Sequence, residues 1–418
     1  MSAAAASGDD EWRRAWPVVL GAAVGVGLGL SSIHTYSFGV LVKPISEGLG
    51  WTRGQVTGMH MFLALASVIG APLVGAVMDR VGPRRVALFG IPVAALAYSC
   101  FSTIGASVPL YYAMTFAIGL LAVATGPIVW TRAVNGWFSK SRGFALACVL
   151  TGTGVYALVG PAIVTRIAAE QGWRIAFVSL AMLMIVPWIT TLFLFREPPA
   201  TAHPAKAGSA GVSTAVSGLT LRDALATRRF WIIGLGLLAG SLGITAMLAH
   251  LVPMLTDKGV APAQAAWVAS AFGLAVVGGR LGAGWLLDRF PTGWICATVM
   301  SLAALACLLM LTFDGSSLAV PVMVAVLVGL AGGTEVDLVA YLAARYFGLA
   351  SYGKIYGLLF ACFSLGAGTA PALAGVMFDR SGHYDGALML FAVTFTASAV
   401  LLGSLGRDPG LDAERGRH

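Results

Sequence analysis

The chain has 418 residues, 58% of them hydrophobic and 11% charged. Soluble domains carry roughly 25% charged residues, so this composition excludes an ordinary water-soluble core and indicates a protein that crosses a bilayer many times. The formal charge of +8 is spread over the ends of apolar stretches rather than gathered into one basic face, which argues against a nucleic-acid surface.

Apolar stretches of about 20 residues, the length a bilayer needs, occur near 16–41, 54–78, 86–105, 109–131, 143–165, 174–195, 230–256, 263–287, 293–313, 318–343, 353–377 and 386–406. The first, from Trp16 onward, is long and lacks a small-residue cleavage site, so it reads as a retained helix rather than a leader. Gly21, Gly25 and Gly29 form a ladder of small residues in it, of the kind that lets helix backbones approach in lipid. The second span ends in Gly75-x-x-x-Asp79-Arg80, followed by Gly82-Pro83 and Arg84-Arg85. Glycine and proline supply a tight turn, and an Asp at a helix end beside clustered Arg can form a charge-assisted latch. The segment 197–228 is rich in Ala, Pro, Gly and Ser and holds Lys206, Arg222 and Arg228. It reads as a cytoplasmic linker between two six-helix halves, with a surface helix expected over 221–227. All five cysteines fall inside spans without paired spacing, which indicates neither a disulfide framework nor a zinc site.

In the second half, the run Trp267 to Leu287 contains one charged residue, Arg280. A guanidinium does not lose its proton, so deep in a membrane it must face a partner, a cavity or a substrate. Counting from Arg289 at the cytoplasmic edge, Arg280 is about 13 Å deep at 1.5 Å per residue. Its planar fork matches a carboxylate in two parallel hydrogen bonds; the alternative is an Arg that only pairs with an acid and ties helices together. The acids at matching depth are in span ten, Glu335 at about 15 Å and Asp337 at about 12 Å, counted from Arg345. Two residues apart on a helix they point to different faces, so only one can easily meet Arg280, and depth slightly favours Glu335. His34, His60 and His250 lie in the outer halves of spans, where a His can shuttle protons; His250 is also placed to line the cavity. Tyr36, Tyr156, Tyr341 and Tyr356 are candidate hydroxyl donors to a carboxylate, and Phe360 and Cys362 in span eleven could shape an apolar wall. Each of these also suits plain packing.

With the N-terminus inside, external segments hold Lys43, Arg53, Arg166, Arg174, Lys258 and Arg380, six of the 26 Lys and Arg, while nineteen lie on the cytoplasmic side. That asymmetry sets the orientation, both termini cytoplasmic. The halves also repeat. Gly75-x-x-x-Asp79-Arg80 is answered by Gly284-x-x-x-Asp288-Arg289, Trp137-Phe138 by Tyr346-Phe347, and Gly160-Pro161-Ala162 by Ala370-Pro371-Ala372. Two related helix bundles are implied, an arrangement suited to alternating access.

The loop from Gly75 to Arg85 resembles the signature of the major facilitator superfamily, and its weaker copy at Asp288-Arg289 strengthens the likeness, which covers the whole chain. Within that superfamily the chain is similar to the monocarboxylate transporter group. The similarity lies in Trp137-Phe-Ser-Lys140-Ser-Arg142-Gly143 and the residues to Gly154, in Gly279-Arg280 with Asp288-Arg289, and in Asp337-Leu338-Val339. Oxalate/formate-type antiporters share much of this, including Gln171-Gly-Trp173-Arg174. The resemblance implies that Arg280 binds the substrate carboxylate, and it favours Asp337 over Glu335 as the acid. The chain departs from the group at Tyr36, where a Lys is usual, and at Val276, where an Asp is usual. Lys354 is too shallow to bind a second carboxylate, so a monoanion fits better than a dianion.

The expectation is an all-α membrane protein with twelve transmembrane helices in two pseudo-symmetric six-helix bundles, the major facilitator fold. The boundaries are 1–15 for the cytoplasmic N-terminus, 16–196 and 230–406 for the bundles, 197–229 for the linker and 407–418 for the tail. The expected function is secondary transport of a small organic monocarboxylate with a proton, without enzyme chemistry, cofactor or metal, by a monomer in the plasma (inner) membrane. The substrate site is expected at Arg280, Tyr36, His250, Tyr341, Phe360 and Cys362, with proton coupling at Glu335, Asp337 and His250. The latch is expected at Asp79, Arg80, Arg84, Arg85, Asp288 and Arg289. Exchange of organic anions, export of larger aromatic acids, and a membrane sensor that does not transport are the alternatives these residues leave open.

Overall fold

The computed structural model describes residues 8–138, 142–197, 218–287, 289–348 and 351–405. Span one is built from α1 (Gly8–Gly27) and α2 (Leu30–Leu49), and span two from α3 (Arg53–Thr57) and α4 (Met59–Val81). Then follow α5 (Pro83–Ser99), α6 (Val108–Ala122) with α7 (Pro127–Trp137), α8 (Arg142–Gln171), and α9 (Trp173–Leu183) with α10 (Ile185–Phe193). The short α11 (Leu221–Ala226) precedes α12 (Arg228–Asp257), α13 (Pro262–Leu287), α14 (Thr292–Leu311), α15 (Ala319–Phe347), α16 (Tyr352–Ser381) and α17 (Asp385–Gly403). Among the described residues, 11 helical segments are long and apolar enough to cross a membrane, and α15, bent by 44° between Glu335 and Leu338, makes a twelfth. The chain is an all-α membrane protein.

The outer surface confirms which solvent these helices were built for. Phe89, Leu96, Phe193 and Trp294 are 71–76% exposed, a placement that water would penalise and lipid does not. The contacts form two compact units, Met1–Pro44 with Leu65–Ser209, and Ile45–Ala64 with Ala210–His418. The short stretch 45–64 therefore groups with the second half of the sequence, although it lies in the first.

In the first unit the glycine ladder meets three different neighbours. Gly21 lies against Leu194 and Phe195, Gly25 against the Trp130 ring, and Gly29 against the Thr125 carbonyl. Trp130 is fully buried and donates its ring N–H to Thr125 O at 3.0 Å. Between Gly25 and Gly29, a Cβ on Gly27 would stand 2.5 Å from the Gly152 carbonyl, and a Cβ on Gly152 would strike the carbonyl of Ala23. The crossing of α1 and α8 thus brings backbone onto backbone. Between α4 and α5 the turn depends on Gly82, at φ +88°, with the Glu197 carboxylate where a side chain would go.

In the second unit α12 packs on α16, α13 on α15 and α14 on α17. The α13–α15 contact is again backbone to backbone: Gly279 lies against Leu330, and Gly333 against the Val276 carbonyl and the Arg280 amide. The helix over 221–227 is α11, capped by Thr220, whose hydroxyl accepts the Asp223 N–H. Leu219 N–H donates to Phe347 O at 2.8 Å, and Ala224 is buried with Phe230 and Phe347, which ties the end of the linker to this unit.

The α1–α8 crossing yields a test. Gly152→Val should lower the stability of the detergent-solubilised protein by about 1–3 kcal/mol through overpacking. Gly282→Ala, at a helical position with nothing within 4 Å of a new Cβ, should leave the unfolding midpoint unchanged. A thermal-shift comparison of the two checks this.

Candidate functional site

Arg280 is half-buried on α13, at the turn where Gly333 of α15 presses on the α13 backbone. The stripe of α15 that meets α13 can be followed by its contacts. Thr334 donates to Leu330 O at 2.9 Å and lies 3.5 Å from Gly279 O, and further along Tyr341 donates its hydroxyl to Leu287 O at 3.0 Å. The Asp337 side chain lies outside the described residues.

Glu335 is on the other face, and the preference for it as the counter-ion of Arg280 is corrected. Its carboxylate is buried beside Gly240 of α12, in a pocket that also holds Ser398 of α17 and Met300 of α14, and its Oε1 has no hydrogen-bonding partner. The physical reason is azimuth: depth along the axis matches, but residues 333 and 335 are separated by about 200° around a helix of 3.6 residues per turn.

Other expected site residues are spoken for in different ways. The Tyr341 hydroxyl proton is committed to the Leu287 carbonyl, so it is not presented to a substrate carboxylate. Phe360 is half-buried and stacks on Tyr356, with ring centroids 5.8 Å apart and planes at 18°. Cys362 is half-buried, with its Sγ 3.3 Å from where a Cβ on Gly234 would stand. Tyr36 is half-buried on α2, in the first unit, where Tyr156 pairs its hydroxyl with that of Ser37 at 2.6 Å.

His250 does not line a cavity. It is fully buried, with Nε2 2.8 Å from Pro371 O and Nδ1 2.9 Å from the Tyr384 hydroxyl. Its assignment to the substrate wall is corrected, because both ring nitrogens are already engaged. His34 sits 3.3 Å from the Tyr98 hydroxyl, and His60 donates through Nδ1 to Thr57 O at 3.0 Å.

The neighbours of His250 form a cluster that sequence reasoning missed. Arg53, counted above only as an external charge, forks onto Asp257 through Nη1 at 2.5 Å and Nη2 at 2.8 Å, and Nη1 also donates to the Tyr384 oxygen at 2.7 Å. Its guanidinium lies 3.9 Å over the Phe378 ring. Asp379 accepts the backbone N–H groups of Arg53 at 2.9 Å and Gly54 at 2.8 Å. The Thr57 hydroxyl is shared between the carbonyls of Arg53 and Pro371. Gly375, one turn before Asp379, allows this approach: a Cβ there would stand 2.6 Å from the Gly54 nitrogen. Burial keeps the Tyr384 hydroxyl protonated, above its usual range, despite the pull of Arg53. A signal was present in the sequence, since Gly375-x-x-x-Asp379-Arg380 repeats the spacing of Gly75-x-x-x-Asp79-Arg80.

Of the expected latch, the Asp79 side chain and the whole of Asp288 lie outside the described residues, as do residues 139–141 of the span-five signature. Arg80 and Arg85 are exposed, Arg84 donates to Leu192 O at 2.9 Å, and Arg289 lies over its own Trp285 ring at 4.2 Å.

Comparison with known proteins bears on this architecture. The sequence model of the family described as Major Facilitator Superfamily matches residues 24–332 and 241–417. The chain is 27% identical to the MFS transporter asaE of Aspergillus flavus, over 93% of this chain and 87% of that protein. It is 28% identical to monocarboxylate transporter 11 of Homo sapiens, over 93% and 80% of the two chains. Its fold is shared with the nucleoside transporter NupG, at a TM-score of 0.73 and 13% identity, covering 93% of this chain and all of that one.

The Asp379 contact predicts a graded effect. Asp379→Ala leaves two helix N–H groups unpaired and should lower stability by about 1–3 kcal/mol. Asp379→Asn keeps an acceptor and should lose less. Denaturation of the two variants in the same detergent checks the order.

Proposed function

This chain belongs to the Major Facilitator Superfamily, and on that premise we propose that it is a secondary active transporter of small organic monocarboxylates, lactate- or pyruvate-like. The substrate moves together with a proton by alternating access. The carrying observation is Arg280, a permanent cation half-buried on an otherwise uncharged 26-residue apolar helix. Its fork is the group on this helix able to grip a carboxylate with two hydrogen bonds, and the similarity to monocarboxylate transporter 11 supports the same substrate class. The Lys and Arg distribution supports cytoplasmic termini in a plasma (inner) membrane.

In the proposed cycle an acid of span ten neutralises Arg280 until the substrate carboxylate takes its place, and the displaced acid then accepts a proton. Asp337 takes this part, because it is the other acid in the α15 sequence and Glu335 is turned toward α12. Glu335 is assigned a neutral role: a buried carboxyl oxygen without a donor is costly to leave charged, so this group keeps its proton through the cycle.

Uptake of labelled lactate, pyruvate and larger aromatic acids into proteoliposomes, with and without an imposed pH gradient, tests the reading. An inward proton gradient should raise uptake of the small acids. Arg280→Ala should reduce it by roughly 100-fold or more and Arg280→Lys by roughly tenfold, since an ammonium lacks the planar fork. Retained uptake in Arg280→Ala sinks the proposal. Asp337→Asn should abolish the response to the gradient, whereas Glu335→Gln, which copies a protonated carboxyl, should preserve both uptake and response.

A further inference from the structure

The cluster around Arg53 has a proton order that its donors and acceptors fix. The Pro371 carbonyl can only accept, so the nitrogen of His250 that faces it, Nε2 at 2.8 Å, carries a hydrogen. Arg53 can only donate, so the Tyr384 oxygen, 2.7 Å from Nη1, accepts from it. Tyr384 then has its own hydrogen to give, and it points to His250 Nδ1 at 2.9 Å. Nδ1 must therefore be bare, and the chain of bonds from Asp257 through Arg53, Tyr384 and His250 to Pro371 closes only around a neutral imidazole.

A proton on Nδ1 reverses one link. The ring becomes a donor at both ends, and the Tyr384 hydroxyl has to turn away or lose its contact. A second positive charge is then set beside the one on Arg53 in a buried place. The titratable and charged groups that face His250 are Arg53 from α3, His60 from α4, Asp379 from α16 and Tyr384 from the turn before α17, with Asp257 bound to Arg53. Asp379 is spent on the Arg53 and Gly54 amides, which limits its power to offset the new charge. The segment 45–64, carrying Arg53, is what these bonds hold against α12 and α16.

We propose that His250 is a proton-binding site whose occupation breaks the Tyr384-to-His250 hydrogen bond and sets a like charge against Arg53, so that acid loosens the segment 45–64 from α12 and α16. This site is separate from Arg280. On the orientation proposed above, it responds to external protons. The linkage has a definite sign. The engaged arrangement requires neutral His250, while a released ring titrates near its ordinary value of about 6.5. As pH falls below that value, the ratio of engaged to released states drops by up to about tenfold per pH unit for one proton.

The test is a distance measurement in lipid nanodiscs, without substrate. Spin labels are placed at Gln55→Cys and His383→Cys, both exposed positions, in full-length protein whose native cysteines are replaced by serine. Electron double-resonance distances are compared between about pH 8 and about pH 5, on either side of the ordinary His value. The wild-type cluster should show one short distance at the higher pH and a growing longer population at the lower. His250→Gln offers a donor to Pro371 and an acceptor to Tyr384 without titrating, and should hold the short distance at both pH values. Tyr384→Phe should show the longer population at both, and His60→Gln should respond like the wild type. A pH-independent wild-type distance overturns the proposal by itself, whether or not the variants fold. So does a response that survives in His250→Gln or vanishes in His60→Gln. Because no substrate is present, this outcome is independent of whether lactate-like acids are carried.

Discussion

The structure depends on how closely two helix backbones can approach in lipid. Lipid tails are as apolar as the side chains they replace, so burial of Leu or Phe between helices contributes little to association, and close packing has to do more of it. At the main crossings of this chain the contact is backbone against backbone: Gly27 on Gly152, Gly333 on Val276 and Gly375 on Gly54. Other large apolar side chains, such as Phe89, Leu96, Phe193 and Trp294, are turned outward. The composition that first marks the chain as a membrane protein, rich in Gly and poor in charge, is the composition this mode of packing requires.

Charges are admitted to this framework in three different ways. Arg280 is half-buried on α13, beside the glycine crossing with α15. Glu335 is enclosed by Gly240, Ser398 and Met300 with an oxygen no donor meets. Arg53 is met on every side, by Asp257, Tyr384 and the Phe378 ring. A cation bonded on several sides to fixed groups, as Arg53 is, holds a conformation.

Much of this was legible in the sequence, because hydropathy and residue type act locally. The spans, the ladder of Gly21, Gly25 and Gly29, the turn at Gly82-Pro83 and the solitary charge of Arg280 follow from windows of a few residues. What escaped depends on azimuth or on distant partners. Depth counting placed Glu335 level with Arg280 but could not see that Gly333, two residues earlier, occupies the face turned to α13. His250 was read from its chemistry, yet its two nitrogens are taken by residues 121 and 134 positions away. Arg53 looked like an ordinary loop charge, since its partners Asp257 and Asp379 are 204 and 326 residues distant. The spacing of Gly375, Asp379 and Arg380 was the one local trace of that cluster, and it becomes readable once the glycine is understood as the seat for an approaching helix end.

The shelter of Arg53 has a consequence for its response to salt. The residue is only 8% exposed and lies beneath an aromatic ring. Dissolved ions screen exposed charges over about 8–10 Å at ordinary ionic strength, but reach buried pairs poorly. Salt therefore weakens the Arg53–Asp257 pair less than it would a pair on the open surface.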